Sequence, residues 1–386
     1  MENPRREFLK KAALAGTGIS MLGSAEMLAG PTPKLTNFSI PTGEIPKPNP
    51  AQQKWMEYKF GMFLHFGINT YYDKEWSDGT LDPSKINPYE LDTDQWCSVA
   101  KNAGMKYVML VTKHHDGFCN WPSKFTDYTV NATPLKIDLV KRVSDSAKKF
   151  GLDFGIYYSL WDRHEKTHDS NEKLYVEFMK NQLKELLTNY GPICELWFDG
   201  FWKKQRTGWK KLAKPQTETS ANADNKDKSE MAEPNDFIHS WRMEGAYRWQ
   251  MDHLYDFVKS IQPNCMVANN ATTAFPGVPL HPVDVRCGEK ATDQTKDQKV
   301  WNWAGNDIYL PLQIETTMSQ QGKKGDFESG SWFWHDWDHS VASKEQVNSW
   351  LKKSQELGAN LLLNCGPMAN GKLRPEDVQV LTTLGK

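Results

Sequence analysis

From Trp55 onward the chain keeps one rhythm: a short apolar run, a helical pattern, a glycine, then another apolar run. The apolar runs are Gly61–Phe66, Tyr107–Thr112, Phe154–Ser159, Ile193–Asp199, Cys265–Asn270, Tyr309–Glu315 and Asn360–Asn364. Continuous runs of this length mark strands buried on both faces, and strands alternating with helices call for a parallel sheet with crossover connections. Helical patterns separate them at Gln95–Ala103, Leu139–Phe150, Tyr175–Tyr190 and Tyr247–Ile261. Asp138 and Gly151 bracket the second as N-cap and C-terminal glycine. A further helix opens with the capping-box sequence Ser343-Lys344-Glu345-Gln346 and closes at Gly358. The units continue for roughly 330 residues, which fits one (β/α)8-like TIM barrel better than an open sheet plus a second domain. No Gly-x-Gly-x-x-Gly or P-loop pattern follows a strand, so a nucleotide cofactor has no support.

The flanks read differently. Residues 1–30 carry the basic stretch Arg5-Arg6-Glu7-Phe8-Leu9-Lys10-Lys11 and then an Ala- and Gly-rich apolar segment, the pattern of an export signal, with paired arginines like those of the twin-arginine type. Residues 31–50 are a proline-rich lead-in, and 51–386 form the expected barrel domain. Within it, residues 203–236 are polar and lysine-rich and directly follow Asp199, which reads as a long loop over the barrel mouth. Beyond the leader no run reaches the ~18 apolar residues of a membrane span. A net charge of -1 gives no pull toward nucleic acid or an anionic membrane.

The chemistry concentrates at strand ends. His65 ends the first run, Lys113-His114-His115-Asp116-Gly117 the second, Tyr157-Tyr158-Ser159 the third, Asp199 the fourth and Asn269-Asn270 the fifth. In a barrel of this class all of them face one cavity, at the carboxyl ends of the strands where such enzymes work. Arg286 and Glu289 lie in a Gly-containing segment further on, and Glu315 ends a later run. The chain also has 16 tryptophans, and indole faces suit the C–H-rich faces of sugars. Trp76, Trp197, Trp332 and Trp334 are candidates for stacking, with imidazoles, tyrosines, asparagines and an arginine to bind hydroxyls. Two carboxylates in such a cavity could split a glycosidic bond, one attacking the anomeric carbon and one passing a proton. Two other readings remain open: a barrel that binds glycans without cleaving them, and a hydrolytic metal site on His65, His114, His115 and Asp199. Against the metal, adjacent His114 and His115 point to opposite sides of a strand unless the strand has already ended.

Several of these segments resemble the α-L-fucosidases of glycoside hydrolase family 29. They are Phe60-Gly61-Met62-Phe63-Leu64-His65-Phe66-Gly67, Glu75-Trp76, Thr112-Lys113-His114-His115-Asp116-Gly117-Phe118, Trp121-Pro122-Ser123-Lys124, Tyr157-Tyr158-Ser159, Leu196-Trp197-Phe198-Asp199-Gly200 and Leu361-Leu362-Leu363-Asn364-Cys365-Gly366-Pro367. The likeness runs from about residue 50 to the end, in the same order and spacing. It implies exo-acting, retaining hydrolysis of terminal α-L-fucosyl residues, no cofactor or metal, and a fucosylated oligosaccharide or glycoconjugate as partner. Asp199 matches the nucleophile. His65, His114, His115, Tyr158, Trp76 and Trp197 match positions that hold the fucose, joined by Glu75. Glu289 is the expected acid/base, with Glu315 next, and Glu244 or Glu233 if the long loop folds inward. Two departures stand out. The segment from Asn269 to Arg286 lacks the Asn-Asp-Arg-Trp-Gly run common in the family, which bears on Arg286 as a substrate ligand. The chain also ends soon after Pro375, where many relatives continue into a C-terminal β-sandwich.

Overall fold

The computed structural model describes residues 45–200, 248–270, 281–303, 306–322 and 330–384. In chain order its elements begin with helix α1 (Pro50–Met56), β1 (Phe60–Leu64), α2 (Thr93–Asn102), β2 (Tyr107–Lys113), α3 (Leu139–Phe150) and β3 (Asp153–Ser159). They continue with α4 (Thr167–Ser170), α5 (Glu172–Asn189), β4 (Glu195–Asp199), α6 (Met251–Ile261), β5 (Met266–Asn269) and β6 (Val285–Glu289). The last are β7 (Val300–Trp303), β8 (Asn306–Tyr309), β9 (Leu312–Thr317), α7 (Lys344–Glu356), β10 (Asn360–Asn364) and α8 (Pro375–Leu384). Eight parallel strands close into a barrel in the order β1-β10-β9-β6-β5-β4-β3-β2, and β7 and β8 form a separate antiparallel ribbon.

The helix ends follow their sequence signals. Asp138 accepts from Lys141 N and Gly151 takes the left-handed conformation, so α3 starts and stops where its caps require. Ser343 caps α7 by accepting from Gln346 N. One barrel strand, β6, was not among the expected apolar runs, because Val285-Arg286-Cys287-Gly288-Glu289 alternates polar and apolar residues. The expected Tyr309–Glu315 run divides between the end of the ribbon and β9.

Strand alternation sorts side chains into two layers. On β4, Leu196 and Phe198 join the outer core between strands and helices, and Trp197 joins an inner cluster with Phe63, Tyr107, Met109, Val111, Tyr157, Val285, Cys287 and Leu362. The inner layer is close-packed: a Cβ on Gly61 would meet the Tyr107 ring at 2.3 Å. At the amino ends of the strands α1 plugs the barrel, with Trp55 Nε1 donating to Glu195 Oε2 at 2.7 Å. Gln313 Nε2 donates to the same oxygen at 3.0 Å and to Tyr107 Oη at 2.8 Å.

Candidate active site

Asp199 is the last residue of β4, on the same inward face as Trp197. Gly200 then turns the chain at φ +83, and a Cβ there would lie 2.8 Å from Trp161 Cβ. The turn brings Gly200 N to 2.8 Å from Asp199 Oδ1. Tyr157, on the neighbouring strand, donates its hydroxyl to Asp199 Oδ2 at 2.8 Å. His115 Nε2 lies 3.5 Å from that same oxygen. Asn270 Nδ2 contacts Asp199 Oδ1 at 3.3 Å and Glu289 Oε2 at 2.6 Å. The two acids, separated by 90 positions in the chain, therefore share one amide.

Burial pushes the Asp199 carboxyl up to about 7, and the nearby Glu289 charge adds to the rise. Donors from Tyr157, Gly200 and Asn270 oppose it. The imidazoles are kept neutral. Burial takes His65 down to about 3 and lowers His114 and His115 well below the usual histidine range, each of the pair also feeling neighbouring positive groups. Tautomers follow from partners. Asn364 spends its amide hydrogens on Thr317 Oγ1 and Trp332 O, so its Oδ1 accepts from His65 Nδ1 at 2.8 Å. A neutral His65 with its hydrogen on Nδ1 presents Nε2 as an acceptor, suited to a sugar hydroxyl. His115 Nδ1 is held at 2.7 Å from Ser159 Oγ.

Strand β2 ends at Lys113, before the histidine pair, so His114 and His115 are released from strand alternation. Their ring centroids lie 4.1 Å apart, and His65 is 6.1 Å from His114. Aromatic rings wall the group: Trp332 at 5.1 Å from His65, Phe333 at 5.0 Å from His114, Trp161 at 5.2 Å and Trp76 at 5.8 Å from His115. Among the described residues no cluster of three or more His, Cys, Asp or Glu side chains is placed to hold a metal ion, and no helix is long and apolar enough to cross a membrane.

A family model described as α-L-fucosidase matches residues 82–386. The chain belongs to the α-L-fucosidase family. Its relatives include α-L-fucosidase 1 of Arabidopsis thaliana, 44% identical over 159 residues, which is 40% of this chain and 31% of that protein. A putative α-L-fucosidase 1 of Oryza sativa is 41% identical over 175 residues, 45% of this chain and 32% of the other. The chain thus matches about a third of the length of these curated relatives. Among solved structures, a glycoside hydrolase 29 family member from an unknown rumen bacterium superposes with a TM-score of 0.67 at 27% identity, covering 88% of this chain and 56% of that one. A putative α-L-fucosidase from Bacteroides ovatus gives 0.64 at 26%, covering 88% and 55%. The (β/α)8 barrel of this family member is the fold expected from its sequence.

Several expected site residues of this fucosidase-family chain lie elsewhere. Tyr158 points outward into the helix layer, where its hydroxyl donates to Gln182 Oε1 at 2.7 Å and accepts from Lys113 Nζ at 3.1 Å. The tyrosine of the site is Tyr157, one residue earlier, because alternation turns that one inward. Arg286 is likewise on the outer face of its strand, ion-paired with Asp297 and lying over the Trp301 ring. Val285 and Cys287 take the inward positions beside it. Glu75 serves the wall rather than the cavity. Its oxygens accept from Trp332 N at 3.0 Å, Phe333 N at 3.1 Å and His335 Nε2 at 2.8 Å, tying the loop that carries both rings. Burial opposes a charge on His335, but contacts to Glu75 and then Asp73 outweigh it and raise its pKa.

Glu315 is buried beneath the pair, accepting from Trp197 Nε1 at 3.2 Å and Gly288 N at 2.9 Å. Trp197 therefore forms part of the floor under Asp199, stacked on Tyr157 with centroids 5.3 Å apart. Trp334 is half-buried, and the ring that meets His65 and His114 is Phe333. Glu244, Glu233, the 203–236 loop and the 1–30 leader lie outside the described residues. Tyr157, Trp161 and the bridging role of Asn270 have no local signal beyond position near a strand end, and Phe333, in the loop after β9, has none.

Proposed function

We propose that this chain is an exo-acting, retaining α-L-fucosidase that removes terminal α-L-fucosyl residues from glycans, with Asp199 as nucleophile and Glu289 as acid/base. The observation that carries the reading is the Asn270 bridge. Its two contacts, 3.3 and 2.6 Å, keep the bridged oxygens within about 6 Å, compatible with the ~5–5.5 Å carboxyl separation of retaining enzymes. Two carboxyl groups so close titrate as a coupled pair, and a proton on Glu289 removes the charge that disfavours ionised Asp199. Gly200 and Asn270 occupy Oδ1, leaving a lone pair of Oδ2 to attack C1. As the C1–O bond breaks, Glu289 gives its proton to the departing oxygen. In the second step Glu289 takes a proton from water, whose oxygen attacks C1 and frees Asp199. Acceptors such as His65 Nε2 and the surrounding rings suit the hydroxyls and the apolar face of the sugar. The Arg5–Lys11 stretch and the apolar segment after it support export.

Incubation with an aryl α-L-fucoside, followed by proton NMR, tests the central claim. The first fucose released should be the α anomer, with the β anomer appearing only by mutarotation. Initial release of the β anomer rejects a retaining mechanism, and no release from any α-L-fucoside of a linkage panel rejects the enzyme. The acid/base is tested by Glu289→Ala. Its kcat/KM on fucosides with poor leaving groups should drop about 10²–10⁴-fold. Azide should restore turnover of activated substrates, since that anion needs no base to attack the covalent intermediate. An unrescued variant moves the role to another group.

A further inference from the structure

Asn270 N donates to Phe198 O at 2.9 Å, which locks the end of β5 to β4 one residue before Asp199. The side chain then reaches both acids. Carboxylate oxygens only accept, and an amide nitrogen carries two hydrogens. The reversed amide would set its carbonyl oxygen against Asp199 Oδ1, which already accepts from Gly200 N, so the orientation with Nδ2 between the acids is fixed. Asn270 Oδ1 is buried and has no hydrogen-bond partner among the described residues. An amide held this way, with half its capacity unused, has its place dictated by the two acids.

We infer that Asn270 is a positioning residue that pins the acid/base to the nucleophile and directs the acidic proton to Glu289 Oε1. The inference rests on the assignment of Asp199 and Glu289 above and deepens it. An N–H aimed at Oε2 from 2.6 Å makes that oxygen the acceptor, so a proton on the carboxyl resides on the other one. The second N–H steadies ionised Asp199 at Oδ1, beside the Gly200 amide. One planar group thereby damps the repulsion between the acids in every protonation state of the cycle. The other groups facing the pair are fixed independently. Tyr157 from β3 and His115 from the end of β2 face Asp199, while Glu315 of β9 and Lys290 sense the Glu289 charge.

The test compares wild type with Asn270→Ala, and with Asn270→Ser, whose short side chain keeps polarity without reaching both acids. Two readouts are needed: the pH dependence of kcat/KM on an aryl α-L-fucoside, and a carbon-13 carboxyl titration of labelled protein, which needs no substrate. Loss of a donor raises a carboxyl pKa, so both limbs of the rate profile, and both titrations, should move up by about one pH unit. The maximal kcat/KM should fall about tenfold or more, as expected when a proton-transfer group is loosened. A residue that only shapes the loop would lower the amplitude and leave both limbs and both titrations in place, and that result overturns the inference. Shifted titrations in a protein that cleaves no fucoside would uphold the bridge and reject the fucosidase reading. Unshifted titrations in an active enzyme would do the reverse. Unchanged thermal melting in the serine variant guards against a folding artefact.

Discussion

Strand β4 carries a carboxylate at each end, and the two make an instructive pair. Glu195 and Asp199 are four positions apart, face the same barrel interior, and are both pushed up to about 7, chiefly by burial. Glu195 lies at the plugged end, where Trp55 and Gln313 donate to one oxygen and those contacts are what oppose the rise. Its other oxygen is buried and has no hydrogen-bond partner among the described residues. Asp199 lies at the carboxyl end, where the second cause of its shift is another acid, Glu289. A displaced pKa therefore does not mark a site by itself. What distinguishes Asp199 is a second carboxyl bridged to it by Asn270 and donors on both oxygens.

The widest separation should come from isosteric neutralisation at each end. Asp199→Asn should cost on the order of 10⁴-fold in kcat on an aryl α-L-fucoside, the size seen when a residue of the reacting unit is removed. Glu195→Gln should stay within a few-fold of wild type, because Glu195 lies at the amino end of β4, held by Trp55 and Gln313 and away from the Asp199–Glu289 pair. A Glu195→Gln enzyme as inactive as Asp199→Asn would erase the distinction between the two ends.

Stability sharpens the same contrast at Glu195. Its folded carboxyl, at about 7, holds a proton more tightly than the free group does at its ordinary 4.5. The stability linked to that proton is present in full below ~4.5 and is lost as pH rises through ~7, for a total of about 3 kcal/mol. Glu195→Gln mimics the protonated form. Urea unfolding should find it close to wild type at pH 4.5 and more stable than wild type at pH 8, by up to about 3 kcal/mol. An equal difference at both pH values would mean that Glu195 is ionised throughout and its charge is compensated in place.

The sequence made the barrel legible because strand and helix punctuation are local: Asp138, Gly151 and Ser343 cap the helices they appear to cap. It also made the rim legible, since a polar residue closing an apolar run can be seen without a structure. Asp199, His65 and the His114–His115 pair stand out that way, whereas Glu289 closes no apolar run and is singled out by the family resemblance. What escaped was direction. Arg286 and Glu75 were placed near the sugar, yet a strand's parity turned the first outward, and the loop at 332–335 claimed the second. The β6 strand escaped too, because its outward face is filled by an ion pair with Asp297 instead of an apolar side chain.

Parity also decides between Tyr157 and Tyr158, and that choice gives the smallest of the expected effects. Tyr157 Oη donates to Asp199 Oδ2 and its ring stacks on Trp197, whereas Tyr158 Oη joins Lys113 and Gln182 behind the strand. Tyr157→Phe removes a donor that favours ionised Asp199. Its kcat/KM should fall about tenfold, with the acid limb of the rate profile moving to higher pH. Tyr158→Phe leaves buried Lys113 with one partner fewer, though still paired with Asp162 at 2.9 Å. It should lower unfolding stability by about 1–3 kcal/mol and leave the rate profile in place. If Tyr158→Phe moved the acid limb and Tyr157→Phe did not, the register of β3 against β4, and with it the aim of every residue on that wall, would be off by one.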